Sequence, residues 1–166
     1  DKISNTLTLE VLIGLVIAIF MIGWIFVIIN NFNFSYMFVS LIPNVIPLLS
    51  SLGVLSVLGF YFNLSNAFIF AIVFGLIVDD SIHIISSYSF SRRRGLSPDE
   101  ALLYCQNKTF NAVIKTTIII IASLIPLLFS EFKSISQLGY ITILAAIFAI
   151  VFDLILLPKL LRKYIN

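Results

Sequence analysis

The stretch Ala67-Phe68-Ile69-Phe70-Ala71-Ile72-Val73-Phe74-Gly75-Leu76-Ile77-Val78-Asp79-Asp80-Ser81-Ile82-His83-Ile84-Ile85-Ser86-Ser87-Tyr88 decides the fold. It is long enough to cross about 30 Å of hydrocarbon, which takes about 20 largely apolar residues. Two adjacent aspartates and a histidine nevertheless sit inside it. An aspartate at the centre of a membrane helix costs about 2.5–3.5 kcal/mol, whereas each Leu, Ile, Phe or Val repays only about 0.3–0.6 kcal/mol. Such a pair must therefore face protein or water, and it marks a functional site.

Four further apolar runs flank this one, at 11–29, 36–62, 112–129 and 135–157. The second is interrupted by Pro43, Pro47 and Gly53. The links between runs are 30–35, 63–66, 91–111 and 130–134. The chain of 166 residues is 60% hydrophobic and only 11% charged, and its mean hydropathy is +1.13. Soluble domains hold about 25% charged residues, so this composition requires a lipid environment. The expected fold class is an all-α integral membrane protein of five transmembrane helices. A net charge of +2 with no basic, aromatic-interleaved patch gives no basis for a nucleic-acid partner. Cys105 is the only cysteine, which excludes an internal disulfide and a multi-cysteine metal site. No metal site and no cofactor are expected. The chain opens on Asp1 without a signal-peptide pattern and reads as a piece of something longer.

Positive charge orients the stack. Arg92, Arg93, Arg94, Lys108 and Lys115 flank the link between the third and fourth runs, and Lys159, Arg162 and Lys163 follow the fifth. Only Lys2 and Lys133 lie on the other side. This places the N-terminus outside and the C-terminus in the cytoplasm, although the link after the first run carries no Lys or Arg. Within the cytoplasmic link, Ser97-Pro98-Asp99-Glu100 has the pattern of a capping box. It predicts an amphipathic helix over 98–108 that presents Leu102, Leu103 and Phe110 to the membrane surface. Ser134-Ile135-Ser136-Gln137 predicts a second capping box at the start of the fifth helix.

Chemistry concentrates in the third run. Ala67, Ala71, Gly75, Asp79, His83 and Ser87 recur at every fourth position and form one slowly turning stripe. Its small residues Ala67, Ala71 and Gly75 suit close helix packing. At 1.5 Å per residue, Asp79 lies roughly 18 Å along the axis from Ala67. Asp80 is turned about 100° from Asp79. The two would titrate as one coupled unit, which is what a proton-coupled transporter needs; the other reading is a packing anchor bonded to nearby hydroxyls. His83 is either a relay member or an interfacial histidine. Thr116, Thr117 and Ser123 either donate to the acids or bond their own backbone. Lys115 either neutralises a carboxylate or snorkels to the interface. The face Thr142, Ala146, Ala149 and Asp153 is similar but weaker, and Asp153 is expected to fix the helix end by pairing near Lys159 and Arg162 ahead of a role in transport. Pro43, Pro47 and Pro126 free backbone carbonyls and are expected to bend their helices.

These residues together resemble the RND superfamily, in particular its MMPL-like and hopanoid-exporter-like branch. The matching pieces are Ile42-Pro43-Asn44-Val45-Ile46-Pro47 with Gly53 and Gly59, then Gly75-Leu76-Ile77-Val78-Asp79-Asp80-Ser81-Ile82-His83. Gly95, Glu100-Ala101, Thr116-Thr117, Phe129-Ser130, Gly139 and Asp153-Leu154-Ile155-Leu156-Leu157-Pro158 follow in the family's order. The resemblance implies the last five helices of a twelve-helix transporter, part of its second repeat. It implies a proton-motive-force-driven exporter of lipids or other hydrophobic molecules in the bacterial inner membrane, with Asp79 and Asp80 as proton relay and His83, Thr116 and Thr117 in support. The implied partners are the missing N-terminal half and periplasmic domains, membrane lipid, a hydrophobic substrate and a second copy in a homo-oligomer. The five-helix unit is also similar to sterol-sensing domains, so a lipid-binding module without transport is the alternative. A protein-translocation accessory is a third option. An enzyme is not expected: Val78 rather than Gly precedes Asp79, against an aspartyl membrane protease, and a zinc type would need a second histidine beside His83.

Overall fold

The computed structural model describes residues 2–57 and 64–165, and every regular element among them is helical. The elements are α1 (Lys2–Ile29), α2 (Ser35–Val57), α3 (Leu64–Arg93), α4 (Pro98–Cys105), α5 (Asn111–Leu124) and α6 (Lys133–Tyr164). A π turn, Gln106–Phe110, joins α4 to α5, and a 3₁₀ turn, Ile125–Phe129, follows α5. Five helical segments are long and apolar enough to cross a membrane. The fold is thus an all-α, multi-pass membrane bundle. The expected end of the second helix at Phe62, with Gly59, lies outside the described residues.

The helices outrun the apolar stretches because the hydrocarbon limits only side-chain polarity, while backbone hydrogen bonds continue until something stops them. For α1 the stop is Asn31, at φ 55°, and Phe32 N–H returns to the Val27 carbonyl at 2.8 Å. For α3 it is Gly95 at φ 87°, with Gly95 N–H on the Arg92 carbonyl and Leu96 N–H on the Ser91 carbonyl. Both are left-handed helix ends that satisfy the last carbonyls. Pro126 ends α5 by tightening the chain into 3₁₀ geometry, whereas α2 runs through Pro43 and Pro47 without a break. Gly139 lets α6 approach that 3₁₀ turn: a Cβ there would lie 3.0 Å from Leu128 Cδ2 and 3.1 Å from Leu127 Cβ.

α6 packs against α2 and α3, and α1 lies against both α2 and α3. The core forms two apolar clusters. One gathers Tyr36, Val39, Ile84, Tyr88, Cys105 and Leu157 among others. The second gathers Leu48, Phe70, Val73, Ile77, Ile141 and Ala149 with their neighbours. The basic ends converge. Arg93 Nη2 donates to the Ile29 carbonyl at 2.7 Å, Tyr88 Oη donates to the Ile165 carbonyl at 2.8 Å, and Arg162 Nε meets Asp99 Oδ1 at 3.2 Å. The C-terminal ends of α1, α3 and α6 and the start of α4 therefore share one end of the bundle. The link after α1 needs no basic residue of its own, because Arg93 of α3 serves its last carbonyl and the negative end of its dipole.

The Ser97 capping box is present in full. Glu100 N–H bonds Ser97 Oγ at 3.3 Å, and Ser97 N–H bonds Glu100 Oε2 at 2.8 Å. Replacing Ser97 by Ala is expected to cost about 1 kcal/mol. It should raise amide exchange over Pro98–Cys105 without disturbing α3. Unchanged exchange there would mean that tertiary packing, not the cap, holds α4.

Three local expectations are corrected. Phe110 is buried rather than facing the membrane surface, because α4 folds back onto α3 and places Ala101, Cys105 and Phe110 in the core. No side chain caps α6: the helix starts at Lys133, and the Phe132 carbonyl takes the Ile135 and Ser136 amides instead. Asp153 makes no ion pair among the described residues and is fully buried. Lys159 and Arg162 follow it by six and nine positions, which at about 100° per residue puts them across the helix from it. Arg162 pairs with Asp99 instead.

Candidate functional site

α3 carries Asp79 and Asp80 on two different faces. Asp79 points away from the bundle, its side chain 69% exposed, and its Oδ1 lies 3.7 Å from Nε2 of His83 one turn on. That contact is an ion pair whenever the imidazole is protonated. Asp80 is half-buried and turns toward α5, where Thr117 Oγ1 lies 3.2 Å from its Oδ2. Thr117 also reaches the Val113 carbonyl at 2.8 Å. Its single proton can go to either acceptor, and its oxygen can accept from a protonated Asp80. The hydroxyl is thus a rotor that fits both charge states of the acid.

Both aspartates open into one cleft of about 440 Å³ between α3 and the α4–α5 arm. His83, Tyr104, Lys108 and Thr116 also line it. Lys108 Nζ sits 3.1 Å from the Tyr104 hydroxyl, and Thr109 Oγ1 bonds Ser87 Oγ at 2.8 Å. The π turn that carries Lys108 and Thr109 aims them back at α3; single π turns inside helices frequently accompany functional sites. The cleft thus assembles two acids, an imidazole, an ammonium and a phenol on otherwise apolar helices, a set that can hold and hand on protons.

Thr117 Oγ1 meets Asp80 directly. The Thr116 hydroxyl bonds the Ala112 and Val113 carbonyls and also stands beside Asp80, whereas that of Ser123 bonds the Ile120 carbonyl. Thr116 still lines the cleft. Lys115 is exposed and is not part of the lining. Along the small-residue stripe, Ala67 is buried, Ala71 half-buried and Gly75 open, with nothing within 4 Å of a Cβ at Gly75. The stripe turns from the core to the outer face as it descends toward Asp79. Lys108 and Tyr104 were missed as site residues because residues 98–108 are expected to lie along the membrane surface. Their signal was the spacing of four that puts both on one face.

A membrane protein of Methanocaldococcus jannaschii is 28% identical over 121 residues, which make up 73% of this chain and 31% of the relative. The chain therefore spans about a third of the length of that relative. The MMPL family model matches residues 3–162, nearly the whole chain. On that match and on its helical membrane architecture, the chain belongs to the MMPL family, an RND-like family of membrane proteins.

Proposed function

We propose that this chain is the membrane half of a proton-motive-force-driven exporter of lipids or other hydrophobic molecules. In this reading Asp79 and Asp80 are the proton relay, and His83, Thr116 and Thr117 support them. The observation that carries it is the cleft. It holds two adjacent acids at membrane depth, one open and beside an imidazole, the other on a hydroxyl rotor. A packing anchor would bury both acids among fixed donors, and Asp79 is exposed with no hydrogen-bond donor among the described residues. The open face around Gly75 and Asp79 is then covered by another part of a longer transporter, since an aspartate cannot face lipid at this depth without cost. The test is the flux of a fluorescently tagged phospholipid, with proton flux in parallel, in vesicles that hold the full-length protein or its Asp79→Asn and Asp80→Asn variants.

An apolar groove of about 310 Å³ between α1 and α3 supports the second reading, a lipid-binding module. Phe26, Ile82, Ile85 and Phe90 line it, and Arg93 stands at one end. Such a module would bind lipid here without moving protons.

The proposed setting is the inner membrane of a bacterium, with the shared basic end in the cytoplasm. Cys105 is fully buried and cannot report this. Asn107→Cys in a Cys105→Ala background places the only thiol on an exposed position of the π turn. An impermeant maleimide should label it in inside-out vesicles and not in intact cells. Labelling of intact cells would invert the orientation.

A further inference from the structure

The Asp153 carboxyl lies outside the cleft, at the junction of α2, α3 and α6, with no exposed surface. Its Oδ1 is 2.6 Å from Ser81 Oγ of α3. Ser81 Oγ is also 3.2 Å from Asn44 Oδ1 of α2. Asn44 Nδ2 donates to the Ser40 carbonyl, which fixes the amide with its oxygen toward Ser81. The junction sits between the two apolar clusters, which end on Ile77 and Val78 before Ser81 and resume at Ile84 after it.

Counting protons identifies the charge state. The Ser81 hydroxyl has one proton. If Asp153 were ionised, both neighbours of that hydroxyl would be acceptors and one would go unserved. If Asp153 is neutral, its O–H donates to Ser81, Ser81 donates to Asn44, and the chain closes. Asp153 Oδ2 is buried without a partner, which an uncharged oxygen tolerates better than a carboxylate oxygen does. The charged groups around the junction agree. Asp80 directly precedes Ser81 on α3 and brings no positive charge to the junction. Asp79 and His83 lie on the outer face of α3, and Lys115 of α5 and Lys159 of α6 are exposed. Arg162 is held by Asp99 of α4, and α2 contributes no charged side chain.

We propose that Asp153 is a second proton-binding site of the transporter, whose neutral carboxyl latches α6 to α3 and α2 through Ser81 and Asn44. This rests on the relay reading above only for the motion of α3. Ser81 directly follows Asp80, so any turn of α3 that changes the surroundings of Asp80 also moves Ser81 against Asp153. When α3 turns Ser81 away, the Asp153 O–H bond breaks and its proton passes to a water molecule admitted between the helices. The carboxylate left behind takes hydrogen bonds from that water. Asp153 is a positioning residue that reports the place of α3 by holding or losing a proton.

The experiment is pH-difference infrared spectroscopy on the full-length protein in vesicles of phosphatidylethanolamine and phosphatidylglycerol. Trapped pH-sensitive dye reads proton flux on the same vesicles. The parent should show a protonated-carboxyl stretch that disappears in Asp153→Asn, persists in Asp79→Asn and Asp80→Asn, and shifts in Ser81→Ala. Asp153→Asn should fold, because its Nδ2 replaces the acid O–H as donor to Ser81. Its proton flux should lose the pH dependence of the parent and fall about tenfold. Absence of the band from the parent, or its survival in Asp153→Asn, overturns the proposal whatever the flux. A flux profile in Asp153→Asn equal to the parent's also overturns it. Failure of the relay reading looks different: Asp79→Asn and Asp80→Asn would pump at parent rates while the Asp153 band remained.

Discussion

Asp79→Asn and Asp80→Asn are each expected to bring proton-coupled efflux down to the level of empty vesicles while the protein still folds and inserts. The reason lies in what each substitution keeps. Asn has the size of Asp and mimics the protonated acid, so no cavity forms. At position 80 the new Nδ2 donates to Thr117 Oγ1, and Thr117 keeps its bond to the Val113 carbonyl. At position 79 the side chain is largely exposed within the bundle and loses only the 3.7 Å contact with His83. Charge is therefore the one property removed. Moving one proton charge down the membrane potential supplies about 2.3 kcal/mol per 100 mV. That matches the few kcal/mol that separate two conformers of a protein, so a carboxylate that gains and loses a proton is enough to bias the choice. His83→Ala should do less, shifting the pH profile of efflux without abolishing it, since an exposed pair of this length contributes about 0–1 kcal/mol. Flux of the tagged phospholipid, with proton flux in parallel, separates the outcomes. Parent rates in both Asn variants would return the site to a packing or lipid-binding role.

How far the sequence carries depends on the range of the interaction. The helical spans are legible because twenty apolar residues in a row have few alternatives. The Ser97–Glu100 box is legible because both of its hydrogen bonds close within four residues. The depth of the Asp pair follows from counting along one helix. The choice between Thr116 and Thr117 does not, because the π turn Gln106–Phe110 changes the angular phase between α4 and α5. Asp153 shows the opposite case. Its misassignment to Lys159 and Arg162 came from nearness in sequence, and the helical angle alone would have set them apart. Its true partner Ser81, and Asn44 bonded to that serine, lie 72 and 109 positions away, and only the packing of α2, α3 and α6 brings them together. The cleft is likewise a tertiary product, since Lys108 lines it with the acids only because α4 folds back on α3.

Gly75→Leu should leave this five-helix bundle intact and damage its assembly with the rest of a longer transporter. Within the bundle, nothing lies within 4 Å of a Cβ at position 75 and the position is exposed, so a leucine can turn outward, where its side chain favours lipid. Membrane insertion and the thermal midpoint of the bundle should stay at parent values. Gly75 nevertheless stands one turn before Asp79, on the face of α3 that also carries the exposed Ile72. If another helix covers Asp79, it passes over Gly75, and four added carbon atoms hold it off. Overpacking of this kind costs about 1–3 kcal/mol. With about 1.4 kcal/mol to a factor of ten, assembly should weaken roughly tenfold. The measurement is photo-crosslinking from a benzophenone maleimide attached to Ile72→Cys in a Cys105→Ala background of the full-length protein, with efflux followed in parallel. Crosslinking and efflux should fall together in Gly75→Leu and recover in Gly75→Ala, whose single methyl group still permits close approach. Crosslinking at parent yield in Gly75→Leu would show that the covering helix does not pass close over Gly75, and absence of crosslinking from the parent would show that no helix covers this face.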